Sequence, residues 1–370
     1  MKILFDHQIF TWQKQGGISR YFAEIIYHVS LKKNLKYELS LLNSNNIHLL
    51  EIGLKKNIFN RVLSHPRITR SRFKKYIDKF NLYRTVKALK KQDFDVFVPT
   101  YFDTYFLDYI GKKPFVLTVY DMIHELYPSY FTGVDNFIEQ KKELIFKANK
   151  VITISENTKK DILNIYPNVD EKKIEVVYLS HSIKNTETTI NIKLPEKYIL
   201  FVGERGAYKN FEFFIKSAAN ILNNDKELFV LCVGGRSFLD TEKTLFESLN
   251  IQNQLIQYAA SDNELYLLYN RALVFIFPSL YEGFGIPVLE AMASSCPVIL
   301  TNASSFPEVA SDAALYFSAD NNLELEVRIK ELIYNEQKRV SYIEKGLKNV
   351  KRFSWEKTAD NCIEIFKSVV

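Results

Sequence analysis

Short apolar runs rich in β-branched and aromatic residues recur along this chain, and stretches of helical period separate them. The opening "MKILFDHQI" alternates as a strand does. Beyond Gly16 and Gly17, "ISRYFAEIIYHV" sets Ile18, Phe22, Ile25, Ile26 and Val29 at helical spacing. "FDVFVPT", "PFVLTVYDM" and "KVITIS" are further strand runs, and Ser155 is placed to cap a helix starting near Glu156. Strands separated by helices imply a parallel sheet. The rhythm restarts after a polar stretch at residues 180–196, with strands in "KYILFVG", "ELFVLCVGG", "LIQYAA", "ALVFIFPS" and "PVILTN". "KNFEFFIKSAANIL" reads as an amphipathic helix between them, and "SDNE" at residues 261–264 is a capping box for another. The expected fold class is α/β, as two doubly wound domains facing each other across a cleft.

A chain of 370 residues exceeds one ordinary core, which agrees with two domains. Hydrophobic residues at 47% and charged residues at 25% exclude a disordered chain. No apolar run approaches the roughly 18 residues of a membrane-spanning helix. The N-terminus turns acidic at Asp6 and lacks a signal peptide's apolar stretch, so a cytoplasmic location is expected. Cys232, Cys296 and Cys362 lie far apart with no CxxC spacing, and read as buried thiols. The net charge of +6 is concentrated in the first half, where residues 52–92 hold 13 basic residues and one acid, Asp78. Phe59, Phe73, Tyr76, Phe80 and Tyr83 are interleaved with them. This stretch is either a solvated helical face or a surface for something anionic. A membrane headgroup layer ranks ahead of nucleic acid, because no zinc-finger, KH or RRM signature accompanies it.

The stretch "PSLYEGFGIPVLEAMASSCPVILTN" at residues 278–302 holds Glu282 and Glu290 eight residues apart. Pro287 fits the first turn of a helix, since it has no amide hydrogen to leave unpaired there. The backbone at residues 283–286 therefore offers free N–H groups ahead of a helix N-terminus, a site that favours phosphate or polarised hydroxyls. Gly283 and Gly285 let a ligand approach the main chain. Glu282 at the strand end can accept from sugar hydroxyls, and Glu290 one turn into the helix can hold vicinal hydroxyls. Taken alone, the pair equally fits two acids that only favour a helix N-terminus.

"EGFGIPVLEAMA" resembles the E-x7-E signature of the retaining GT-B glycosyltransferases of family 4. Residues 269–317 resemble that family's donor-binding core almost continuously, and residues 198–217 share the spacing of an earlier part of it. Gly16-Gly17 before an amphipathic helix resembles the family's first loop. The resemblance implies a GT-B fold with an acceptor-binding domain at 1–185, a nucleotide-sugar-binding domain at 186–352, and a terminal helix at 353–370 that crosses back to the first domain. Trp355 in that helix is expected in the core.

It also implies roles. Glu282 would contact the donor sugar, while Gly283, Phe284, Gly285, Ile286 and Val288 would hold hydroxyls and diphosphate through their backbone. Glu290 would bind the ribose, and Gly16 and Gly17 would belong to the donor site. Arg205 and Lys209 in "GERGAYKN" would neutralise the departing diphosphate. Two departures stand out: Glu204 follows the glycine where many members have arginine, and Tyr120-Asp121 replaces a His-Asp pair. His124, one turn later, and His7 are both open as sugar-contacting imidazoles.

The implied reaction is hexosyl transfer with retention, without metal or cofactor. Asp121 is the acid placed to act as nucleophile in a double displacement; front-face attack is the preferred alternative. The donor would be a nucleotide sugar, GDP-mannose first and UDP- or dTDP-sugars after it. Base choice would rest with loops at residues 234–238 and 258–262. The acceptor would be a glycan or polyprenyl-diphosphate-linked oligosaccharide of a bacterial surface polysaccharide, reached by peripheral attachment to an anionic membrane face. Nucleic acid is not expected as a partner. A catalytically silent scaffold of a glycan-assembly complex and a nucleotide-sugar 2-epimerase are the rival readings.

Overall fold

The computed structural model describes residues 1–42, 44–54, 70–185, 190 and 192–370. The chain forms two compact units, one of Met1–Leu179 with Trp355–Val370, the other of Ser180–Ser354.

The first unit holds strands β1 (Lys2–Phe5), β2 (Lys36–Leu39), β3 (Val96–Val98), β4 (Val116–Val119), β5 (Lys150–Thr153) and β6 (Ile174–Val176). They form parallel ladders in the orders β2-β1-β3 and β4-β5-β6, joined by one parallel bridge between Phe97 and Phe115. β3 and β4 are buried at every position because both faces are covered, whereas β2 at the sheet edge is not. The helix Gly17–Leu31 buries Tyr21, Phe22, Ile25, Ile26 and Val29, the face its spacing predicts. Ser155 caps the helix Glu156–Ile165 by accepting from the Thr158 amide. The helix Trp355–Lys367 buries Trp355, Thr358, Ala359, Cys362, Ile363 and Phe366 in this unit. Its Cys362 Sγ lies 3.4 Å from the Tyr21 hydroxyl, and Thr358 donates to the Tyr178 carbonyl at 2.7 Å.

The second unit carries β7 (Lys197–Val202), β8 (Leu228–Val233), β9 (Leu255–Tyr258), β10 (Val274–Phe277), β11 (Val298–Thr301) and β12 (Ala314–Phe317) in one parallel sheet, ordered β12-β11-β10-β7-β8-β9. Alternate residues feed two cores. Ile199, Phe201, Val230 and Ile276 pack under the helices Phe211–Asn224 and Asn322–Ile333. Tyr198, Leu200, Phe275 and Leu300 pack against the helices Asp262–Arg271 and Ile286–Ala293. The strand order makes β7 and β10 neighbours although they are not consecutive, which is the switch point of a doubly wound sheet. In the first unit β1 and β3 stand in the corresponding relation. Cys232, Cys296 and Cys362 are all buried and free, as their spacing suggested. Among the described residues no helix is long and apolar enough to cross a membrane.

One buried carboxylate ties the end of β1 to the loop after β3. Asp6 is fully buried and accepts from the Thr100 amide at 2.9 Å, the Thr100 hydroxyl at 2.5 Å, the Tyr105 hydroxyl at 2.9 Å and Gln8 Nε2 at 2.7 Å. Removing it strands four donors without water. Asp6→Ala is expected to cost about 3 kcal/mol or more in chemical denaturation, whereas Asp6→Asn keeps part of the network and costs less.

Candidate functional site

The loops that leave β7 and β10 meet at the switch point of the second unit. Leu280 N–H donates to the Tyr208 carbonyl at 2.8 Å, joining them through the main chain. Lys209 closes the 3-10 turn Ala207–Lys209, and its ammonium lies 2.5 Å from Glu282 Oε1. Each side chain is only 16% exposed. Burial is the largest influence on Lys209 and opposes its charge, but Glu282 and then Tyr208 outweigh it, so its pKa is raised. The ammonium also sits over the rings of Tyr208 and Phe277 at 4.9 and 5.3 Å.

Beyond Glu282 the chain turns into the helix Ile286–Ala293, with Pro287 in its first turn as expected. Gly285 has φ of 95°, which only glycine adopts freely, and a Cβ there would lie 3.1 Å from Phe306 Cε1. Ser304 and Ser305, just past β11, hold this turn. Ser304 donates to the Glu282 carbonyl at 2.6 Å and accepts from the Glu282 amide at 3.2 Å; Ser305 donates to the Glu282 and Phe284 carbonyls at 2.9 and 3.0 Å. The loop's carbonyls are thus satisfied by serines, and the turn is held in one shape. The Phe284 ring packs edge-on to Phe353 at 5.8 Å. Val288 is buried and Glu290 half-buried, the latter close enough to raise the pKa of the Tyr269 hydroxyl further than burial alone does.

Arg205 is built into a different cluster. Its guanidinium pairs with Glu242 at 2.7 Å, donates to the Arg236 carbonyl at 2.6 Å, and lies over Phe238 and Phe211 at 4.8 and 5.7 Å. Nη1 is buried and has no hydrogen-bond partner. Gly234 accepts no side chain at φ of 79°, and its amide donates to the Tyr258 carbonyl at 3.0 Å, so the loops at 234–238 and 258–262 meet. Ser261 and Glu264 form the expected capping box, with Glu264 also bonded to the Tyr258 hydroxyl.

In the first unit Asp121 follows β4 and accepts from the Ile123 amide at 3.1 Å. His124 stands between the rings of Phe131 and Phe137, 4.4 and 4.8 Å away, with Nδ1 buried and unpaired. Burial lowers its pKa, opposed by Asp121 and reinforced by Lys141. His7 is buried, its Nδ1 2.9 Å from the Thr85 hydroxyl. Gly16 is the N-cap of the helix Gly17–Leu31, where a Cβ would collide with Gln13 Oε1 at 2.7 Å. Among the described residues no group of three or more His, Cys, Asp or Glu side chains is arranged to hold a metal ion.

Family models match both units: "Glycosyltransferase Family 4" over residues 16–180 and "Glycosyl transferases group 1" over residues 182–349. The O-antigen chain mannosyltransferase RfbU of Salmonella typhimurium is 32% identical over 57% of this chain and 59% of its own length. The N-acetylgalactosamine-N,N'-diacetylbacillosaminyl-diphospho-undecaprenol 4-alpha-N-acetylgalactosaminyltransferase of Campylobacter jejuni is 26% identical over 59% of this chain and 60% of its own. The chain therefore matches about three fifths of the length of these relatives. Among solved structures, Anabaena Alr3699/HepE in complex with UDP and glucose superposes with a TM-score of 0.75 at 16% identity, covering 100% of both chains. That likeness gives the fold, two Rossmann-like domains.

Gly285→Ala is expected to destabilise the second unit by about 1–3 kcal/mol, through the left-handed backbone and the contact with Phe306. Thermal denaturation measures it, and Gly206→Ala is the control, since a Cβ at Gly206 meets nothing within 4 Å.

Proposed function

We propose, since this chain belongs to the family 4 glycosyltransferases, that it transfers a hexose, mannose first, from a nucleotide sugar to a lipid-carried glycan of a bacterial surface polysaccharide. The observation that carries this reading is the Lys209–Glu282 pair beside the glycine turn at the switch point. Mannose is favoured by RfbU, and a lipid-linked acceptor by the Campylobacter relative's name.

In this reading the backbone amides of residues 283–286, at the helix N-terminus, hold the diphosphate, and Glu282 accepts from sugar hydroxyls. Glu290 takes the ribose diol. The bond between the anomeric carbon and phosphate oxygen breaks as the acceptor oxygen bonds to the same face of the sugar, with retention. The acceptor's proton passes to the leaving phosphate, and no metal is required. Negative charge grows on that phosphate, and Lys209, kept cationic by its raised pKa, stabilises it. Arg205 contributes through the unpaired Nη1 while Glu242 holds the rest of its guanidinium. Asp121 serves the acceptor rather than the anomeric carbon; a glycosyl adduct trapped on it would refute front-face attack. Lys209→Ala is expected to lower the transfer rate about 10²–10³-fold, by analogy with loss of an oxyanion donor.

Nucleotide binding tests the reading directly. At 100 times its dissociation constant, the correct nucleoside diphosphate adds about 2.7 kcal/mol of stability. A thermal shift is expected with one of GDP, UDP and dTDP and not with CMP, and Glu290→Ala should weaken it. A chain that shifts with none is the silent scaffold instead, and a donor converted without acceptor marks an epimerase.

Attachment to an anionic membrane face is part of the proposal. The helix Arg70–Lys91 buries Asn81, Thr85, Ala88 and Leu89. Tyr76, Phe80 and Tyr83 are 65%, 57% and 61% exposed on its outward side, among Lys79, Arg84, Lys87 and Lys90. Phe59 and the side chain of Phe73 lie outside the described residues. Aromatic rings with a basic surround suit a headgroup layer. Co-sedimentation with phosphatidylglycerol-containing vesicles is expected, reduced by salt and by replacing Tyr76, Phe80 and Tyr83 with serine. Equal binding to neutral vesicles would contradict it.

A further inference from the structure

We propose that His48 is a positioning residue for the glycine turn at Gly16 and Gly17, holding the Gly16 amide through a ring nitrogen that Glu51 keeps free of hydrogen. That this turn serves the nucleotide sugar rests on the transferase reading; the brace itself does not.

His48 lies in the short helix Ile47–Glu51, 32 residues beyond Gly16, and is 2% exposed. The segment that carries it runs beside the chain leading into the turn and bonds to it step by step. Ser44 donates to the Phe10 carbonyl, Asn46 Nδ2 to the Gln13 carbonyl at 2.9 Å, and the Ile47 amide to the Lys14 carbonyl at 3.0 Å. The next bond runs the other way, with the Gly16 amide donating to His48 Nε2 at 3.4 Å. Asn46 also caps the short helix, its Oδ1 accepting from the His48 and Leu49 amides at 3.1 and 3.3 Å. The main chain that bears the imidazole is thereby fixed to the same segment as the turn.

The direction of the Gly16 bond settles the tautomer of the ring. A main-chain amide only donates, so Nε2 accepts, and the hydrogen of the neutral imidazole is on Nδ1. Nδ1 lies 3.1 Å from Glu51 Oε2, an acceptor that selects this form. Glu51 Oε2 is in turn 3.8 Å from Arg20 Nη1, in the first turn of the helix Gly17–Leu31. The Arg20 amide donates to the Gly16 carbonyl at 3.0 Å. Gly16, His48, Glu51 and Arg20 thus form a closed circuit around the turn.

What the circuit leaves open is specific. The Ser19 hydroxyl donates to the Gly16 carbonyl at 3.0 Å, and the Ser19 amide to Gln13 Oε1 at 3.2 Å. A Cβ at Gly16 would strike that same Gln13 Oε1 at 2.7 Å. Of the first amides of the helix, those of Gly17 and Ile18 have no partner among the described residues. Two such N–H groups at a helix N-terminus suit an anion, and His48 fixes the residue directly before them. An apolar ring would fill position 48 as well, so packing alone does not call for an imidazole there.

The test reads the brace and its consequence separately, on the full chain. Long-range proton–nitrogen NMR of histidine-labelled protein is expected to show His48 with its hydrogen on Nδ1. A ring carrying it on Nε2 would overturn the proposal, because that ring cannot accept from Gly16. Amide exchange over residues 13–20 should quicken about tenfold in His48→Phe, which fills the space without an acceptor. It should return in His48→Gln, whose side-chain oxygen can stand in for Nε2. Glu51→Ala, at a side chain 49% exposed, preserves the packing and should mix the tautomers. The nucleoside diphosphate that stabilises the unaltered chain should bind about tenfold more weakly to His48→Phe, with the matching nucleoside unaffected and His48→Gln restored. Unchanged exchange in His48→Phe overturns the proposal; so does equal loss of diphosphate and nucleoside, which marks damage to the fold and not to the turn. If no diphosphate binds the unaltered chain, the transferase reading falls, and the tautomer and exchange results still decide this one.

Discussion

Parallel strands cannot be joined by a tight turn, so each must be followed by a crossover that returns the chain to its starting edge. With all strands of a sheet pointing one way, the loops that follow them gather along a single edge. Where neighbouring strands send their chains to opposite faces, a crevice opens beyond their carboxyl ends. In the second unit this happens between β7 and β10, and Lys209 and the glycine turn occupy that opening. The place of this opening is a consequence of strand order before it is a consequence of side chains.

Side chains then decide what the opening accepts. Lys209 and Glu282 are mostly buried, and an isolated charge in either place would carry a desolvation penalty of several kcal/mol. Each makes the other tolerable, and the aromatic faces beneath the ammonium add to that. The pair is thus a cation held beside its counter-ion, next to the helix N-terminus. Arg205 follows the same logic with Glu242, and the result is that only Nη1 remains for anything else. Ser304 and Ser305 complete the arrangement without charge, by satisfying carbonyls that would otherwise let the turn relax.

Much of this was legible because it is local. The alternation of strand and helix, the caps at Ser155 and Ser261, and the Glu282–Glu290 spacing each lie within about a dozen residues. Each is dictated by periodicity or turn chemistry. What stayed hidden depends on distant pairing. Nothing near Arg205 announces Glu242, 37 residues on, as its partner. Nothing around Ser304 and Ser305 announces Glu282, 22 and 23 residues earlier, as their partner. Only the pairing of β1 with β3 sets Trp12 against Tyr101. Lys141 lies in a charged helical run whose sequence suggests solvent, yet its ammonium is the most deeply buried charge on that helix.

The two switch points carry opposite chemistry on the same scaffold. In the second unit the crevice presents an ammonium, a helix N-terminus and glycine amides, a combination that attracts phosphate. In the first it presents the Trp12 and Tyr101 rings and, after β4, the Asp121 carboxylate. The strand orders are similar but the loops after the strands are not. A protein that handled only nucleotides would have no use for an exposed tryptophan held edge-on to a tyrosine beside an acid. One that handled only sugars would have no use for a buried ammonium at a helix N-terminus.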